Sequence, residues 1–289
     1  LLALASQEGL PHVHLLMAAF LFLNLIAATQ DIATDGLAVA TLEDRERGLA
    51  NGLQVAGYRV GMIAGGGALL ILHERLGNRG TFLAMAVLTL ASTVPVALFR
   101  EPVRARKKPE NESSAPHFLR RSGASKLLLL LVTYKAGDAF ATSMLRPFLT
   151  DSGLSLGDIG WLLGTVSFVA GLLGALAGGA LVNRLGRRPA LLTFGLLQAC
   201  TIAGYAALAF HAPARSTLAL VCAAEHFASG MATAALFTCM MDWCSRETSA
   251  TDYTVQASAV VIATGAAGAL AGFSADALGY AWHFALGTV

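Results

Sequence analysis

Two aspartates stand four residues apart inside a long apolar stretch of the chain. Asp31 and Asp35 lie between His12 and Leu42, and Asn24 precedes Asp31 by seven residues. Residues with these spacings share one face of a helix. Carboxylates in the middle of a membrane-length helix are costly, and they are tolerated mainly where they face a protein interior or a water-filled cavity. The pattern therefore indicates a polar site within a membrane.

Further ionisable side chains recur in the apolar stretches that follow. Together with the first pair, the set is Asp31 and Asp35, Arg59, Lys135 with Asp138, and Glu225 with His226. A rise of about 1.5 Å per residue puts all of them except Asp35 near the middle of a hydrocarbon core of about 30 Å. Asp35 lies a turn nearer the cytoplasmic end, where we expect it to serve a gate.

The chemistry of this set favours proton binding and the binding of an anionic cargo. Carboxylates outnumber cations, so desolvation and mutual repulsion favour proton uptake by at least one of them. We expect Asp31 to carry the proton, with Asp138 as second choice and Glu225 as a further candidate. The side chains predicted to bind cargo carboxylates, sugar groups or peptide groups are Asn24, Gln30, Arg59, Tyr134, Lys135 and His226.

Each charged group also has a purely structural interpretation, in which neighbours neutralise each other. The pairs would be Lys135 with Asp138, Arg59 with Asp31 or Asp35, and Glu225 with His226. The Gln30 side chain can likewise form a hydrogen bond between helices that serves only their packing. From the residues alone, both interpretations stay open.

Composition gives the class of protein. Of 289 residues, 55% are hydrophobic and 13% are charged, whereas soluble domains carry about 25% charged residues. Eight stretches reach the roughly 17–25 residues of a transmembrane helix. They are residues 12–42, 49–72, 81–99, 126–149, 159–182, 189–210, 216–243 and 253–275, with half-spans at 1–5 and 281–289. We therefore predict an all-α polytopic membrane protein, with the four cysteines as packing residues and no metal site.

The loops give the orientation. The linker from Arg100 to Lys126 is polar and rich in arginine and lysine, and the loops on its side of the membrane hold most of the other basic loop residues. The positive-inside rule makes that side cytoplasmic. Glycines repeat every four residues at Gly57, Gly61 and Gly65, and again at Gly160/Gly164 and Gly268/Gly272. These repeats predict close helix packing.

A weak internal repeat predicts two halves. At an offset of 202 residues, Leu76-Gly77 matches Leu278-Gly279, and Gln54 matches Gln256. Parallel repeats of this kind occur in secondary transporters. We expect a parent of twelve spans in two parallel six-helix halves, present from the end of span 3 to the start of span 12. The domains would be residues 1–99 for the rest of the N-terminal half, 100–125 for a cytoplasmic linker and 126–289 for the C-terminal half, truncated in its last span.

One inner loop carries a recognisable motif. Residues 179–188 read GALVNRLGRR, and this segment resembles the GxxxDRxGRR signature of the major facilitator superfamily, with Asn183 in place of the usual Asp. The resemblance implies a role in gating for Asn183, Arg184, Gly186, Arg187 and Arg188. An asparagine here can still cap the following helix.

A second resemblance covers most of the chain. It rests on ATQDI at 28–32, ERGLANG at 46–52, QVAGYR at 54–59, YKAGDAF at 134–140 and TDY at 251–253. These segments resemble the AmpG family of bacterial muropeptide permeases, of which the first three spans are largely absent here. The resemblance implies a multi-pass inner-membrane permease that imports anhydro-muropeptides for peptidoglycan recycling, driven by protons. It implies a monomer that needs no cofactor.

The sequence leaves two other functions open and argues against two further classes of protein. A transporter of the same fold could carry another anionic cargo, such as acetyl-CoA or a sugar derivative, and a truncated, non-transporting remnant is a third interpretation. An intramembrane enzyme is disfavoured, because the sequence holds no HExxH, GxSxG or Cys/His cluster. Nucleic-acid binding is not indicated, since the basic residues lie where membrane topology places them.

Overall fold

The computed structural model describes residues 13–64, 69–99, 115–210 and 214–288. This part of the chain is helical and contains no β-strand. The helices are α1 (Val13–Thr41), α2 (Asp44–Met62), α3 (Leu69–Leu98), α4 (Ala115–Arg120), α5 (Ala124–Ser143), α6 (Leu145–Asp151), α7 (Leu156–Trp161), α8 (Ser167–Leu185), α9 (Arg187–Ala209), α10 (Arg215–Trp243) and α11 (Ser249–Leu286), with a π-helical turn at Leu162–Val166.

The predicted all-α polytopic class is confirmed. Seven segments of the described chain are long and apolar enough to cross a membrane: Val13–Thr41, Arg75–Leu98, Ala124–Asp151, Leu156–Leu185, Arg187–Ala209, Arg215–Trp243 and Ser249–Leu286. The eighth expected span, 49–72, overlaps α2 and the start of α3, and its residues 65–68 lie outside the described residues. The half-span at 1–5 and residues 100–114 of the linker also lie outside them.

Two glycines break long helices at positions that the internal repeat pairs. Gly77 interrupts α3 with φ 61° and ψ −175°, and Gly279 interrupts α11 with φ 77° and ψ 164°. A positive φ strains any residue that has a Cβ, which explains glycine at both positions. The matched Leu-Gly pairs are therefore matched turns, and the expected half-span at 281–289 begins just after the second turn.

The chain divides into two compact units. The first contains residues 1–33 and 57–108, and the second contains residues 34–56 and 109–289. The division at residues 99 and 126 that the repeat predicts stays a prediction. All contacts described below between α2, α5, α8, α9, α10 and α11 lie within the second unit.

The core of the second unit is apolar and closely packed. One cluster surrounds Tyr205 and Phe284, and another surrounds Leu131, Leu236 and Met240. The short helix after Gly279 joins this core, because the ring of His283 lies 4.4 Å from that of Phe140 and its Nε2 lies 3.1 Å from the Phe140 carbonyl oxygen. That carbonyl is near the end of α5, where a helix leaves backbone acceptors without partners inside a membrane.

The closest helix crossing is not at the glycines that the four-residue repeats favoured. A Cβ added at Gly57, Gly61, Gly160, Gly164 or Gly272 would meet no described atom within 4 Å, and Gly65 lies outside the described residues. Of that group Gly268 alone has a neighbour, the Ser143 hydroxyl at 3.0 Å. No described residue packs closely against five of these glycines, whereas Gly268 does meet α5 at Ser143. Spacing shows that glycines share a face but not that another helix meets it.

Candidate functional site

A charge cluster joins the ends of α2, α9 and α10 that the loop charges predict to be cytoplasmic. Asp242 accepts a hydrogen bond from Arg47 Nη1 through Oδ1 at 2.8 Å and one from Arg187 Nε through Oδ2 at 2.6 Å. Arg47 is 5% exposed, and its guanidinium also lies 3.0 Å from the Asp44 carboxylate. Asp242 stands in the last turn of α10, next to the negative end of the helix dipole. Two arginines offset that unfavourable position. We call these four residues the inner charge cluster.

Asn183 extends the inner charge cluster to the start of α2. Its Nδ2 donates to the Arg45 carbonyl at 2.5 Å, and its Oδ1 accepts from Arg187 Nη1 at 2.6 Å. Arg187 Nη2 in turn donates to the Asp44 carbonyl at 2.7 Å. The amide is used as donor and acceptor at once, which a carboxylate cannot do.

Asn183 does not cap the next helix, although an asparagine could have done so. The N-cap of α9 is Gly186, with φ 86° and ψ 158°, and no side chain caps it. The turn at Gly186 leaves Asn183 in the last turns of α8, where its amide faces α2 rather than the first backbone amides of α9.

A close crossing of α2 and α8 brings these groups together. A Cβ on Gly179 would lie 2.5 Å from the Gly48 carbonyl oxygen and 2.8 Å from Gly52 Cα, both of them backbone atoms. Asn183 follows Gly179 by one helical turn, so the crossing places its amide at the start of α2. Asn51, fully buried, adds a bond from its Nδ2 to Arg47 O at 2.8 Å and lies 3.2 Å from Met241 Sδ.

The other predicted gating residues lie near the same end. Asp35 accepts a hydrogen bond from Gln54 Nε2 at 2.8 Å, which links α1 to α2. One residue on, the Gly36 carbonyl accepts from Ser249 Oγ of α11 at 2.9 Å. Arg184 and Arg188 are exposed. Gating roles for all of them stay predictions.

An ion pair lies in the middle of α5. Lys135 Nζ binds the Asp138 carboxylate, as the simpler interpretation of their spacing predicts. Ser229 Oγ, 3.4 Å away, donates to Asp138 Oδ2, and Lys135 Nζ lies 3.4 Å from Thr233 Oγ1. Both charged side chains are largely buried, at 13% and 11% exposure. The pair therefore links α5 to α10 at mid-span.

Glu225 and His226 form a second mid-span polar group on α10. Glu225 is 1% exposed, and its Oε2 lies 2.7 Å from His226 Nδ1. The same nitrogen lies 3.0 Å from the Cys222 carbonyl oxygen. Tyr134, another predicted cargo ligand, donates its hydroxyl to the Leu191 carbonyl at 3.0 Å and so joins α5 to α9. Its role in binding cargo stays a prediction.

The remaining predicted residues belong to the first unit. Asn24, Gln30 and Asp31 are exposed on α1, and Arg59 is half-buried at the end of α2. Asn24 Nδ2 donates to the Phe20 carbonyl of its own helix at 2.8 Å. The meeting of these groups with those of α5 and α10 around one cavity stays a prediction.

Sequence reasoning missed the centre of the inner charge cluster. The position of Asp242 was a usable signal. An acidic side chain in the last turn of a membrane span is unfavourable unless a cation lies beside it. A second ion pair lies beside the loop between α10 and α11. There Arg121, which precedes α5, has its Nη1 2.6 Å from Oδ2 of Asp252 in the first turn of α11. In that loop, burial, with Asp252 nearby, raises the pKa of the Cys244 thiol to about 12, so the thiol stays protonated at neutral pH.

Membrane-length helices with ionisable groups buried at mid-span and a charge cluster joining their ends define a polytopic membrane protein of the transporter class. The family model of the Major Facilitator Superfamily matches residues 1–135 and 127–289. The chain therefore belongs to the major facilitator superfamily, and it is a transporter-family protein of the inner membrane rather than an enzyme.

Two named relatives give a more specific comparison than the family model does. The chain is 33% identical over 265 residues to the "Anhydromuropeptide permease" of Escherichia coli K12, which covers 89% of this chain and 54% of the relative. It is 28% identical over 273 residues to "Putative transporter AmpG 4" of Rickettsia conorii, covering 90% of this chain and 66% of the relative. The chain thus spans between about half and two thirds of the length of these relatives. The predicted resemblance to AmpG proteins is confirmed.

Proposed function

We propose that this chain serves a proton-coupled permease that imports anhydro-muropeptides across the inner membrane by alternating access, for peptidoglycan recycling. The observation that carries the proposal is the 33% identity to a protein named for that cargo, sustained over 89% of the chain. An anhydro-muropeptide offers sugar hydroxyls, amides and peptide carboxylates. The predicted ligands match this chemistry, with Lys135 and Arg59 for carboxylates and Asn24 and Gln30 for polar groups.

The inner charge cluster supports the alternating-access part of the proposal. It joins α2, α9 and α10, and the crossing at Gly48 and Gly179 joins α2 to α8, all at the end predicted to be cytoplasmic. Opening the cavity toward the cytoplasm would require these helix ends to separate. We propose that the cluster is the closed cytoplasmic gate and that Asn183 and Arg187 hold it shut.

The second candidate function keeps the fold and changes the cargo to another anion, such as acetyl-CoA or a sugar derivative. The lysine and arginine of the predicted site suit any carboxylate or phosphate, so the charges do not distinguish these cargoes. A non-transporting remnant is the third candidate.

Competition between cargoes tests the proposal. The protein is expressed from its natural gene in cells that lack their own muropeptide permease, and uptake of labelled N-acetylglucosaminyl-anhydro-muramyl tripeptide is measured. We expect uptake that unlabelled anhydro-muropeptide suppresses and that acetyl-CoA and simple sugar phosphates do not. Suppression by acetyl-CoA alone would favour the second candidate, and no uptake of any cargo by well-expressed protein would favour the remnant.

A further inference from the structure

One face of α10 carries a stripe of polar side chains through an otherwise apolar span. Cys222, Glu225 with His226, Ser229 and Thr233 follow one another at intervals of three or four residues. These intervals align them along one side of the helix. At its inner part the stripe contacts the ion pair of α5, through Ser229 at Asp138 and Thr233 at Lys135. The two mid-span groups therefore belong to one polar track.

Within this track, Asp138 is well supplied with partners. The Lys135 ammonium binds its carboxylate, and the Ser229 hydroxyl donates to the same oxygen. A buried charge that has an adjacent counter-ion and a hydrogen-bond donor is stabilised as a charge. Removing either member of the pair leaves the other unpaired in the interior, which is the costly state.

Glu225 is in the opposite situation. Neither of its carboxylate oxygens accepts a hydrogen bond from any residue that the structure describes, although it is 1% exposed. No lysine or arginine among those residues forms a salt bridge with it, and its close neighbour is His226 Nδ1 at 2.7 Å. An oxygen and a nitrogen at that separation need a proton between them, because two lone pairs would repel. The same Nδ1 lies 3.0 Å from the Cys222 carbonyl oxygen, which can only accept, so Nδ1 carries a hydrogen here and the site for a further proton is the Glu225 carboxylate.

Among the residues that the structure describes, no lysine or arginine pairs with Glu225. On α9 the titratable neighbour is Tyr205, which lies close enough to interact with both Glu225 and Cys222. The mid-span charges of α5, Lys135 and Asp138, neutralise each other. The part of α8 that precedes Asn183, residues 167–182, contains no charged residue. A lone carboxylate in such surroundings is far more costly than a carboxylic acid.

We infer that the coupling proton of the second unit resides on the Glu225–His226 contact, whereas the Lys135–Asp138 pair stays charged and orients the cargo. This inference rests on the proposed function, because it assumes that protons drive transport. Glu225 lies ten residues into α10 from Arg215, so the proton travels about 15 Å from the outer end to reach it. It binds as H⁺ to a carboxylate oxygen of Glu225 beside His226 and leaves as H⁺ toward the cytoplasm, with no other bond changed.

Two variants separate this assignment from the alternative that Asp138 carries the proton. Glu225→Gln removes the titrating group and keeps its size. The matched control replaces the pair with neutral groups, Lys135→Gln together with Asp138→Asn, so that no unpaired charge remains. The protein, expressed from its natural gene, is purified in detergent, and its infrared spectrum is recorded as the pH is stepped. We expect a pH-responsive protonated-carboxyl band in the wild type that the double variant keeps in full and that loses the contribution of one carboxyl in Glu225→Gln, while the contribution of Asp31 remains.

Transport in liposomes gives the second readout. Glu225→Gln should exchange labelled anhydro-muropeptide across the membrane but lose accumulation driven by a proton gradient, while the double variant should still take up protons with any cargo that it carries. If Glu225→Gln expresses poorly, Glu225→Asp is measured instead, and it should keep the infrared band because it keeps a carboxyl group.

Each result decides the question. An undiminished pH-responsive band in Glu225→Gln, a diminished band in the double variant, or the absence of the band from the wild type would overturn the inference. Proton-driven accumulation by Glu225→Gln at the wild-type level would do so as well. If the infrared results are as expected but the wild type carries no anhydro-muropeptide, the proposed cargo fails and the proton site stands.

Discussion

Arg187 at the start of α9 and Asp242 at the end of α10 meet through a 2.6 Å bond between Nε and Oδ2. The other oxygen of Asp242 receives Arg47 of α2, so one carboxylate holds three helices together. These three residues come from loops and helix ends that are far apart in the sequence. The proposed gate therefore depends on a single acidic side chain.

Replacing Asp242 with asparagine tests this dependence. The change leaves Arg47 and Arg187 without their shared anion, and Arg47 is 5% exposed. Removing one partner of a buried ion pair costs about 3–5 kcal/mol, and we expect roughly 3 kcal/mol here because Asp242 is partly exposed. Thermal unfolding of the purified protein measures the loss. Labelling of the buried Cys239 with a maleimide should become faster, since the gate opens more often.

The control for Asp242→Asn is Arg246→Ala, which removes an exposed arginine from the loop that follows α10. It should change neither unfolding nor labelling. Equal effects of the two variants would show that general loop charge, and not the bond to Asp242, holds the helix ends together.

Substituting alanine for Gly179 should disrupt the crossing of α2 and α8. The new Cβ would lie 2.5 Å from the Gly48 carbonyl oxygen, a backbone atom that cannot move without shifting α2. Overpacking of this kind costs about 1–3 kcal/mol. Gly160→Ala is the matched control, because its Cβ would meet no described atom within 4 Å. Better helix propensity should leave that variant as stable as the wild type or more stable. A stable Gly179→Ala protein with normal transport would contradict the crossing.

Asn183→Asp restores the residue usual in the family motif, and we expect it to weaken the protein. The carboxylate keeps the bond from Arg187 but cannot donate to the Arg45 carbonyl, which Nδ2 reaches at 2.5 Å. The Arg45 carbonyl oxygen would lose its donor and face a carboxylate oxygen. We expect this change to lower the free energy of unfolding by about 1 kcal/mol. Unfolding temperature and Cys239 labelling measure the effect, with Arg246→Ala as the exposed control. Higher stability of the aspartate variant would show that the asparagine is not adapted to this contact.

Asp31→Asn tests the first-choice proton site of the first unit. The carboxylate lies in the middle of α1, where a charge is costly unless it has a function. We expect the variant to lose proton-driven uptake while it is still produced and inserted. Thr29→Val on the same helix is the control, since the Thr29 hydroxyl donates to the Leu25 carbonyl of its own helix. Unchanged proton-driven accumulation by Asp31→Asn would remove this residue from the mechanism.

Much of the fold could be predicted from the sequence because a bilayer imposes strong rules. Hydropathy and length locate membrane spans, and the resemblance in residues 179–188 indicated the family. The Lys135–Asp138 pair was also within reach, because residues three apart on a helix are neighbours. The repeat matched Gly77 with Gly279, but that both glycines make turns with a positive φ was not predicted from the sequence.

The rest of the site depends on contacts between distant parts of the chain. Arg47 and Asp242 are 195 residues apart, and no local pattern joins them. Asparagine can cap a helix, but the turn at Gly186 directs Asn183 to α2 instead. The repeated glycines at Gly57 and Gly61 were expected to mark a crossing, whereas the crossing of α2 and α8 is made by Gly48, Gly52 and Gly179, because spacing alone does not show which glycines meet another helix.

The central claim is that a proton gradient drives import of an anhydro-muropeptide. The most direct test reconstitutes the purified protein, expressed from its natural gene, in liposomes and follows labelled cargo with and without an inwardly directed proton gradient. We expect accumulation above the external concentration with the gradient, accompanied by proton entry, and simple equilibration when a protonophore is added. Equal uptake with and without the gradient would contradict the account.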